Sequence, residues 1–178
     1  MSKAFAATLR LLALAALILA APAGSLAQEI YQTPRAFLSE VFSGNVPLAD
    51  NLTLDDGLRD GAEDILGHNF SPAQVNYWRD GARTAWILEE IGRYRPITVG
   101  LVVADGAIED VRVLIFRESH GWEVRHEFFT DQFKGLRLEA DTQLSATIDG
   151  ISGATLSVNA LRALARLALY FDQTVQAE

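Results

Sequence analysis

The chain has 178 residues, of which 15 are Lys or Arg and 23 are Asp or Glu, and it contains no cysteine. The net charge of −8 argues against nucleic acid or an anionic membrane surface as the partner. Without cysteine the protein has no disulfide, no iron–sulfur ligands and no thioether attachment site for haem. Any electron transfer would therefore need an organic cofactor or an unusual metal site.

Residues 1–27 have the pattern of an export signal. Lys3 and Arg10 precede an eleven-residue apolar run, LLALAALILAA, and the segment ends in Ser25-Leu26-Ala27, whose small residues suit a signal peptidase. This run is shorter than the roughly 20 residues that span a bilayer, so a signal peptide removed after about Ala27 is favoured over a retained anchor. The remaining residues, 28–178, carry a net charge near −10, and we expect them to form one periplasmic or otherwise exported domain.

Residues 28–82 have a mainly helical pattern. Ser71-Pro72, followed by Val75 and Trp78, predicts one short helix, because Ser caps free amides and Pro suits a first helical turn. An earlier helix is predicted from apolar residues at helical spacing, before Gly44-Asn45 and Pro47 interrupt the pattern. Those residues are Ile30, Phe37, Leu38, Val41 and Phe42.

Residues 84–172 have a different character. Runs rich in β-branched and aromatic residues predict strands at 84–91, 97–104 and 107–116, and Asp105-Gly106 predicts a hairpin between the last two. A long final helix is predicted from one apolar stripe, formed by Leu156, Ala160, Leu164, Leu167 and Phe171. The sequence therefore predicts an α+β domain, with an antiparallel sheet built on a central hairpin and packed with N-terminal helices and a long C-terminal helix.

The final helix begins in the stretch DGISGATLS, residues 149–157. Ser152 or Thr155 can cap the helix, whose first turn exposes amide N–H groups and the positive end of the helix dipole. Gly153 permits close approach to the backbone, and the hydroxyls of Ser152, Thr155 and Ser157 can donate hydrogen bonds, so the stretch suits a phosphate. From spacing alone, a capped helix without any ligand is the simpler interpretation.

The stretch matches the pattern D-x-x-[ST]-G-A-T-x-[ST], and the chain thereby resembles the FMN-binding domain family. That family includes the periplasmic flavin subunits of the sodium-pumping NADH:quinone reductase and the Rnf complex. The resemblance covers about residues 84–172, because the hairpin, the loop from Glu118, a segment with Gln132-Phe133 and the final helix follow in the family's order. The matching residues are Asp149, Ser152, Gly153, Ala154, Thr155 and Ser157.

The resemblance implies an FMN cofactor joined through its phosphate to Thr155 by a flavin transferase, which uses FAD and magnesium. It also implies that the loop after the hairpin contacts the flavin. Many family members have E-T-P-G-L-G there, whereas this chain has a histidine in place of the proline and Trp-Glu in place of Leu-Gly. The predicted loop contacts are Glu118, Ser119, His120, Gly121 and Trp122.

The implied function is an electron carrier, or a subunit of an oxidoreductase system, with a membrane-bound electron-transfer partner. A protein outside the cytoplasm meets little free FMN, and its negative charge disfavours recapture of a lost phosphate, so a covalent bond would retain the cofactor. The alternative is an accessory module of a membrane redox complex that holds FMN non-covalently or not at all.

Other patterns allow competing interpretations. Trp122 can stack on a flavin or simply pack, and His120 can interact with a flavin or be solvated. The chain has no H-E-x-x-H, G-x-S-x-G or G-x-G-x-x-G pattern, which argues against a metal site, a serine hydrolase and an NADH-dependent reductase. Arginines near the hairpin and on the final helix are interpreted as solvated, with a phosphate or an acidic partner as the alternative. They are Arg93, Arg95, Arg112, Arg117, Arg125, Arg162 and Arg166.

Overall fold

The computed structural model describes residues 28–177, so the predicted signal peptide lies outside the described residues. The strands are β1 (Glu29–Ile30), β2 (Asp50–Thr53), β3 (Gln74–Asp80), β4 (Arg83–Ile91), β5 (Pro96–Ala104) and β6 (Ala107–Phe116). The helices are α1 (Pro34–Val41), α2 (Asp56–Leu66), α3 (Glu127–Thr130) and α4 (Thr155–Ala177), and 3-10 turns form at Trp122–Arg125 and Asp131–Phe133.

The six strands form one antiparallel sheet in the order β1-β6-β5-β4-β3-β2. Its centre is the predicted hairpin, which is confirmed. Asp105 and Gly106, between β5 and β6, have φ angles of 51° and 71°. Positive φ at both central positions gives a turn whose twist matches that of the two strands. The α+β prediction is likewise confirmed.

Helices cover both faces of the central strands. Ile97, Val99 and Leu101 of β5 belong to the larger core, which also contains residues of α2 and α4. Val102 belongs to a smaller cluster on the other face, with Phe37 of α1. Because both faces are covered, β5 is almost continuously apolar. Within residues 28–177, no helix has the length and hydropathy required to cross a bilayer.

Helix α4 contributes more residues to the larger core than any other element. Four members of its predicted stripe are buried, namely Ala160, Leu164, Leu167 and Phe171. Leu156, the first member of the stripe, is 48% exposed. It lies in the first helical turn next to the exposed Thr155, where the stripe runs beyond the packed part of the helix.

The prediction of a short helix from Ser71-Pro72 is wrong, because residues 74–80 form strand β3. Val75 and Tyr77 are buried and Asn76 is exposed, which is the two-residue period of a strand. The three-residue spacing from Val75 to Trp78 also fits a helix, but Trp78 packs with the smaller cluster on the other face. Residues 28–82 contain β1, β2 and β3 besides α1 and α2, so this part is mixed rather than mainly helical.

Candidate functional site

The DGISGATLS stretch leads into α4, and Thr155 is the first helical residue. The backbone carbonyl of Ala154, the preceding residue, accepts a hydrogen bond of 2.9 Å from Val158 N–H. The methyl side chain of Ala154 cannot cap the helix. In the described part of the chain, the N–H groups of Thr155, Leu156 and Ser157 have no acceptor, so the capping predicted for Ser152 or Thr155 does not form. Free amides at the positive end of a 23-residue helix suit an anion.

The side chains of this stretch divide into an exposed set and a buried set. Asp149, Ser152, Gly153 and Thr155 are exposed, whereas Ala154 and Ser157 are only 3% and 4% exposed. Within residues 28–177 the Thr155 hydroxyl has no hydrogen-bond partner. The predicted attachment oxygen is therefore accessible from solvent and lies beside the three free amides.

The loop that begins at Glu118 meets the helix start at Gly121. This glycine is buried and has a φ of 86°. A Cβ atom built on it would lie 2.6 Å from Ser157 Oγ and 3.4 Å from the Cβ of Ala154. Glycine tolerates both the left-handed backbone and this close approach. The structure thus brings together Gly121, Ala154 and Ser157, three of the predicted site residues.

Glu118 lies in the same loop, but its carboxylate holds the turn between β4 and β5. Its Oε1 accepts hydrogen bonds from three successive backbone N–H groups, those of Arg93 at 2.5 Å, Tyr94 at 2.6 Å and Arg95 at 2.9 Å. Burial alone would raise the pKa of Glu118, but these N–H groups and the charge of Arg95 outweigh it and place the pKa below the usual value. The structure gives Glu118 a bracing role, and flavin contact by this residue stays a prediction.

Ser119 and His120 are exposed at the tip of the loop. Ser119 Oγ lies 2.9 Å from Nδ1 of His120, which restrains the orientation of the imidazole ring. The other ring nitrogen, Nε2, remains available to solvent or to a ligand. Contact between these two residues and a flavin stays a prediction.

Trp122 follows Gly121 and is 42% exposed. The guanidinium carbon of Arg125 lies 5.1 Å from the centroid of the Trp122 ring and 4.3 Å from that of Tyr31, so the cation contacts two aromatic rings. Arg125 Nε is buried and has no hydrogen-bond partner within residues 28–177. This arrangement supports Trp122 at the surface, beside the contact between the loop and the helix.

Arg125 was not identified as part of the site from the sequence. Arg125 lies three residues after Trp122, a spacing that allows side-chain contact within a helical turn. The two residues are the first and last of the 3-10 turn Trp122–Arg125. Tyr31, however, directly follows β1, more than 90 residues before Arg125 in the sequence. Only the pairing of β1 with β6 brings it close to Arg125.

Asp149, the first residue of the motif, is hydrogen-bonded to the segment that contains Gln132-Phe133. Its backbone N–H donates a hydrogen bond of 2.7 Å to Gln132 Oε1. Gln132 lies in the 3-10 turn Asp131–Phe133, next to the fully buried Phe133. The side chain of Gln132 therefore helps to fix the start of the motif, a contact that the sequence did not predict.

Arg162 and Arg166 are not on a solvated face of α4, so that interpretation is wrong. Both are half-buried. Arg162 donates a hydrogen bond to the carbonyl oxygen of Ile148, and Arg166 Nε donates one of 2.5 Å to that of Thr142. The helical spacing places both arginines on one face, but it does not reveal that the polar stretch before the motif folds over that face.

Residues 92–170 match the family model of the FMN-binding domain. A comparison with curated proteins finds no match to the chain. The matched range includes the turn held by Glu118, the loop around Gly121 and the whole DGISGATLS stretch. The free amides and the accessible Thr155 hydroxyl fit the phosphate end of an FMN group. The comparison therefore identifies an FMN-binding domain over residues 92–170 of the chain.

Proposed function

We propose that this protein is an exported electron carrier that holds FMN as a phosphoester on Thr155. It passes electrons between redox partners at the membrane or in the periplasm. The observation that carries the proposal is the accessible, unbonded Thr155 hydroxyl beside three free amide groups at the start of α4. These groups suit a phosphate that is attached at this oxygen.

Bound FMN supplies a ring that accepts and donates one or two electrons. The chain's own residues position it. Thr155 is the attachment point and takes no part in catalysis, while the amides of residues 155–157 stabilise the negative charge of the phosphate. Trp122 and Leu156 are 42% and 48% exposed and flank the contact between Gly121 and Ser157 in the sequence. They offer apolar surface against which the flavin ring can pack.

A flavin transferase, using FAD and magnesium, makes the attachment. A bond forms between Thr155 Oγ1 and the phosphorus of the FMN moiety, the pyrophosphate bond of FAD breaks, AMP leaves and the hydroxyl proton passes to solvent. With a net charge near −10 once residues 1–27 are removed, the protein does not attract a free phosphate ligand over long range, so a covalent link retains the cofactor better than affinity does.

Export and the membrane partner complete the proposal. The sequence pattern of residues 1–27 favours removal of this segment and release of a chain that begins at Gln28. Outside the cytoplasm the carrier exchanges electrons with a membrane-bound electron-transfer protein, because the chain has no G-x-G-x-x-G pattern for a dinucleotide of its own.

The intact mass of the protein tests the attachment and the processing together. The full chain is co-expressed with a flavin transferase, and we expect a protein that begins at Gln28 and carries one FMN-sized mass increment. Thr155→Ala should lack the increment, and Thr155→Ser should retain it because the hydroxyl remains. Thr147→Ala is the matched control, since it removes an exposed threonine hydroxyl two residues before the motif and should leave the increment unchanged.

Two outcomes would contradict the proposal. An increment that persists in Thr155→Ala would place the attachment elsewhere. A yellow protein that shows no increment and loses its colour on denaturing precipitation would instead identify an accessory module with non-covalent FMN.

A further inference from the structure

A cavity of about 370 Å³ lies between α4 and the polar stretch before the motif. Its lining consists of Arg162, Arg166 and residues 143, 144 and 146–148. The two arginines are four residues apart on the helix, so they occupy neighbouring positions on the same face. The cavity is at the small end of the range found for ligand pockets, which limits an occupant to a small molecule.

Both guanidinium groups lack an acidic partner. Within residues 28–177 neither arginine forms an ion pair, whereas Arg83, Arg112 and Arg117 each pair with a carboxylate. The chain has 23 acidic residues, so the lack of a partner at this position is not due to a shortage of carboxylates. Two half-buried positive charges therefore line one cavity without a counter-ion in ion-pair contact.

The arginines also retain unused donors. A guanidinium group has five N–H donors. Arg162 uses only Nη2, toward the carbonyl oxygen of Ile148. Arg166 uses Nε toward the Thr142 carbonyl, Nη1 toward the Ile65 carbonyl at 3.4 Å and Nη2 toward the Thr142 hydroxyl at 3.4 Å. The backbone contacts hold both side chains in place, and the remaining N–H groups are free to bind a ligand.

The environment of Arg166 is costly for a positive charge. Burial lowers the pKa of its guanidinium group, against an opposing effect from the charge of Asp141. A bound anion would reduce this cost directly, because opposite charges at close range favour the charged form.

We propose that Arg162 and Arg166 form a binding site for a small oxyanion, a phosphate or a carboxylate, in the cavity between α4 and residues 143–148. The site is separate from the helix start. Arg162 lies seven residues after Thr155, about 10 Å along the helix axis. An anion bound there would tie residues 143–148 to α4 and so stabilise the segment that leads into the motif. The proposal does not depend on flavin attachment.

The site is tested by following the Nε–H signals of the arginines by NMR in the full-length protein labelled with ¹⁵N. Inorganic phosphate and succinate are titrated separately, with sodium chloride adjusted to keep the ionic strength constant. We expect saturable shifts of the Arg162 and Arg166 signals with at least one of the two anions. Saturable shifts with phosphate only, with succinate only or with both will show which oxyanion the site accepts.

Arg59 is the matched control. Like the two arginines of the site, it donates hydrogen bonds to backbone carbonyls, those of Phe70 and Pro72, but it does not line this cavity. Its signal should not move. Equal, unsaturable shifts at Arg59 and Arg162, or no shift at Arg162 and Arg166 with either anion, would overturn the proposal.

Substitutions give an independent measurement. Arg162→Gln should weaken anion binding at the Arg166 signal at least tenfold, and Arg59→Gln should leave it unchanged. If Arg162→Gln does not fold, Arg162→Lys keeps the charge but removes the planar donor group, and it should still weaken binding measurably. Unaltered affinity in a folded Arg162 variant would refute the assignment. Phosphate shifts of the backbone amides of residues 155–157 should persist in these variants, which distinguishes this site from the helix start.

Discussion

At the scale of single residues, Gly121 connects the two sequence segments of the candidate site. It is the position where the loop after β6 touches the helix start, and its contact is with Ser157. The family's loop pattern has a glycine at 121 and its motif has a hydroxyl residue at 157, yet the sequence alone gives no reason for their joint presence. The structure supplies the reason, because any side chain at 121 would occupy the space of the Ser157 hydroxyl.

We predict that Gly121→Ala lowers the free energy of unfolding by about 1–3 kcal/mol, through overpacking and a left-handed backbone. The new Cβ would lie 2.6 Å from Ser157 Oγ, so Ser157→Ala should relieve part of the loss in the double variant. Urea unfolding of the four proteins of this double-mutant cycle measures the coupling.

Gly44→Ala separates backbone strain from the steric contact. Gly44 has a φ of 85°, close to that of Gly121, but a Cβ atom there would meet nothing within 4 Å. Gly44→Ala should therefore lower the free energy of unfolding less than Gly121→Ala does, and its effect should not depend on Ser157→Ala. Equal losses for the two glycine variants would show that the contact with Ser157 contributes nothing.

At the scale of elements, the turn between β4 and β5 depends on a residue from another part of the chain. Three successive N–H groups of this turn converge on one oxygen of Glu118, which follows β6. The family position of Glu118 suggested flavin contact, but its carboxylate faces the turn. The acidic side chain thus aligns the loop of the candidate site with the central strands.

We predict that Glu118→Gln lowers the free energy of unfolding near pH 7 by on the order of 1 kcal/mol, because a neutral amide accepts these hydrogen bonds more weakly. The pKa of Glu118 is lower in the folded protein than its usual value. Its stabilising contribution is therefore complete above that usual value and disappears as the pH falls through the lowered pKa. The difference between wild type and variant, measured by urea unfolding, should shrink across this acidic range.

Glu123→Gln serves as the control, because this residue lies in the same loop and its carboxylate makes no hydrogen bond or ion pair within residues 28–177. Near pH 7 its free energy of unfolding should stay close to that of wild type. A Glu118→Gln variant that behaves like Glu123→Gln would contradict the bracing role.

The secondary structure could be predicted where local signals suffice. The Asp105-Gly106 turn and the β-branched runs beside it specify the central hairpin without reference to the rest of the chain. The sequence predicts a helix where β3 forms, because the three-residue spacing of Val75 and Trp78 fits a helical period, although the two side chains lie on opposite faces of the sheet. Strands β1 and β2 are only two and four residues long, and they acquire their conformation by pairing with β6 and β3. Such short edge strands have little pattern of their own.

The motif residues of the candidate site could also be predicted, whereas their supports could not. Thr155 and its neighbours form one contiguous pattern in the sequence. Arg125 with Tyr31, and Gln132 with Asp149, are pairs whose members come from separate segments. Such contacts depend on tertiary packing and leave no spacing signal.

At the scale of the whole molecule, a buried acidic residue connects the sheet to the end of α4. Asp172 is 1% exposed, and its Oδ1 accepts hydrogen bonds from the Thr84 hydroxyl at 2.7 Å and from Gln176 Nε2 at 3.2 Å. Trp86 Nε1 in turn donates to the Thr84 hydroxyl at 2.9 Å. Burial raises the pKa of Asp172, although these hydrogen bonds and the charge of Arg79 oppose the effect.

We predict an unusual sign for the pH dependence contributed by Asp172. Because its pKa is higher in the folded than in the unfolded protein, the folded state binds the proton more tightly. The free energy of unfolding therefore falls as the pH rises from the usual Asp value through the raised pKa. Asp172→Asn cannot ionise, so its stability relative to wild type should increase over that range. Urea unfolding at a series of pH values measures this difference.

Asp60→Asn provides the comparison, since Asp60 is exposed on α2. This variant also removes one acidic group, but from the surface, so it measures what the loss of an exposed carboxylate does over the same pH range. A flat difference for Asp172→Asn would mean that the buried carboxylate titrates as it does in the unfolded chain. The comparison must be made between variants, because Glu118 contributes a dependence of the opposite sign.

Under the function proposed above, the alanine in front of α4 would affect how the flavin is attached. A helix that begins without a capping side chain gives up about 1 kcal/mol compared with a capped one, so its opening turn frays more readily. Such fraying would expose the Thr155 hydroxyl oxygen to the proposed flavin transferase, which has to bring a phosphorus atom within bonding distance of it. Once esterified, the phosphate occupies the place that a serine or aspartate would otherwise fill. If Thr155 is esterified as proposed, the modification would complete a helix start that the sequence leaves without a capping side chain.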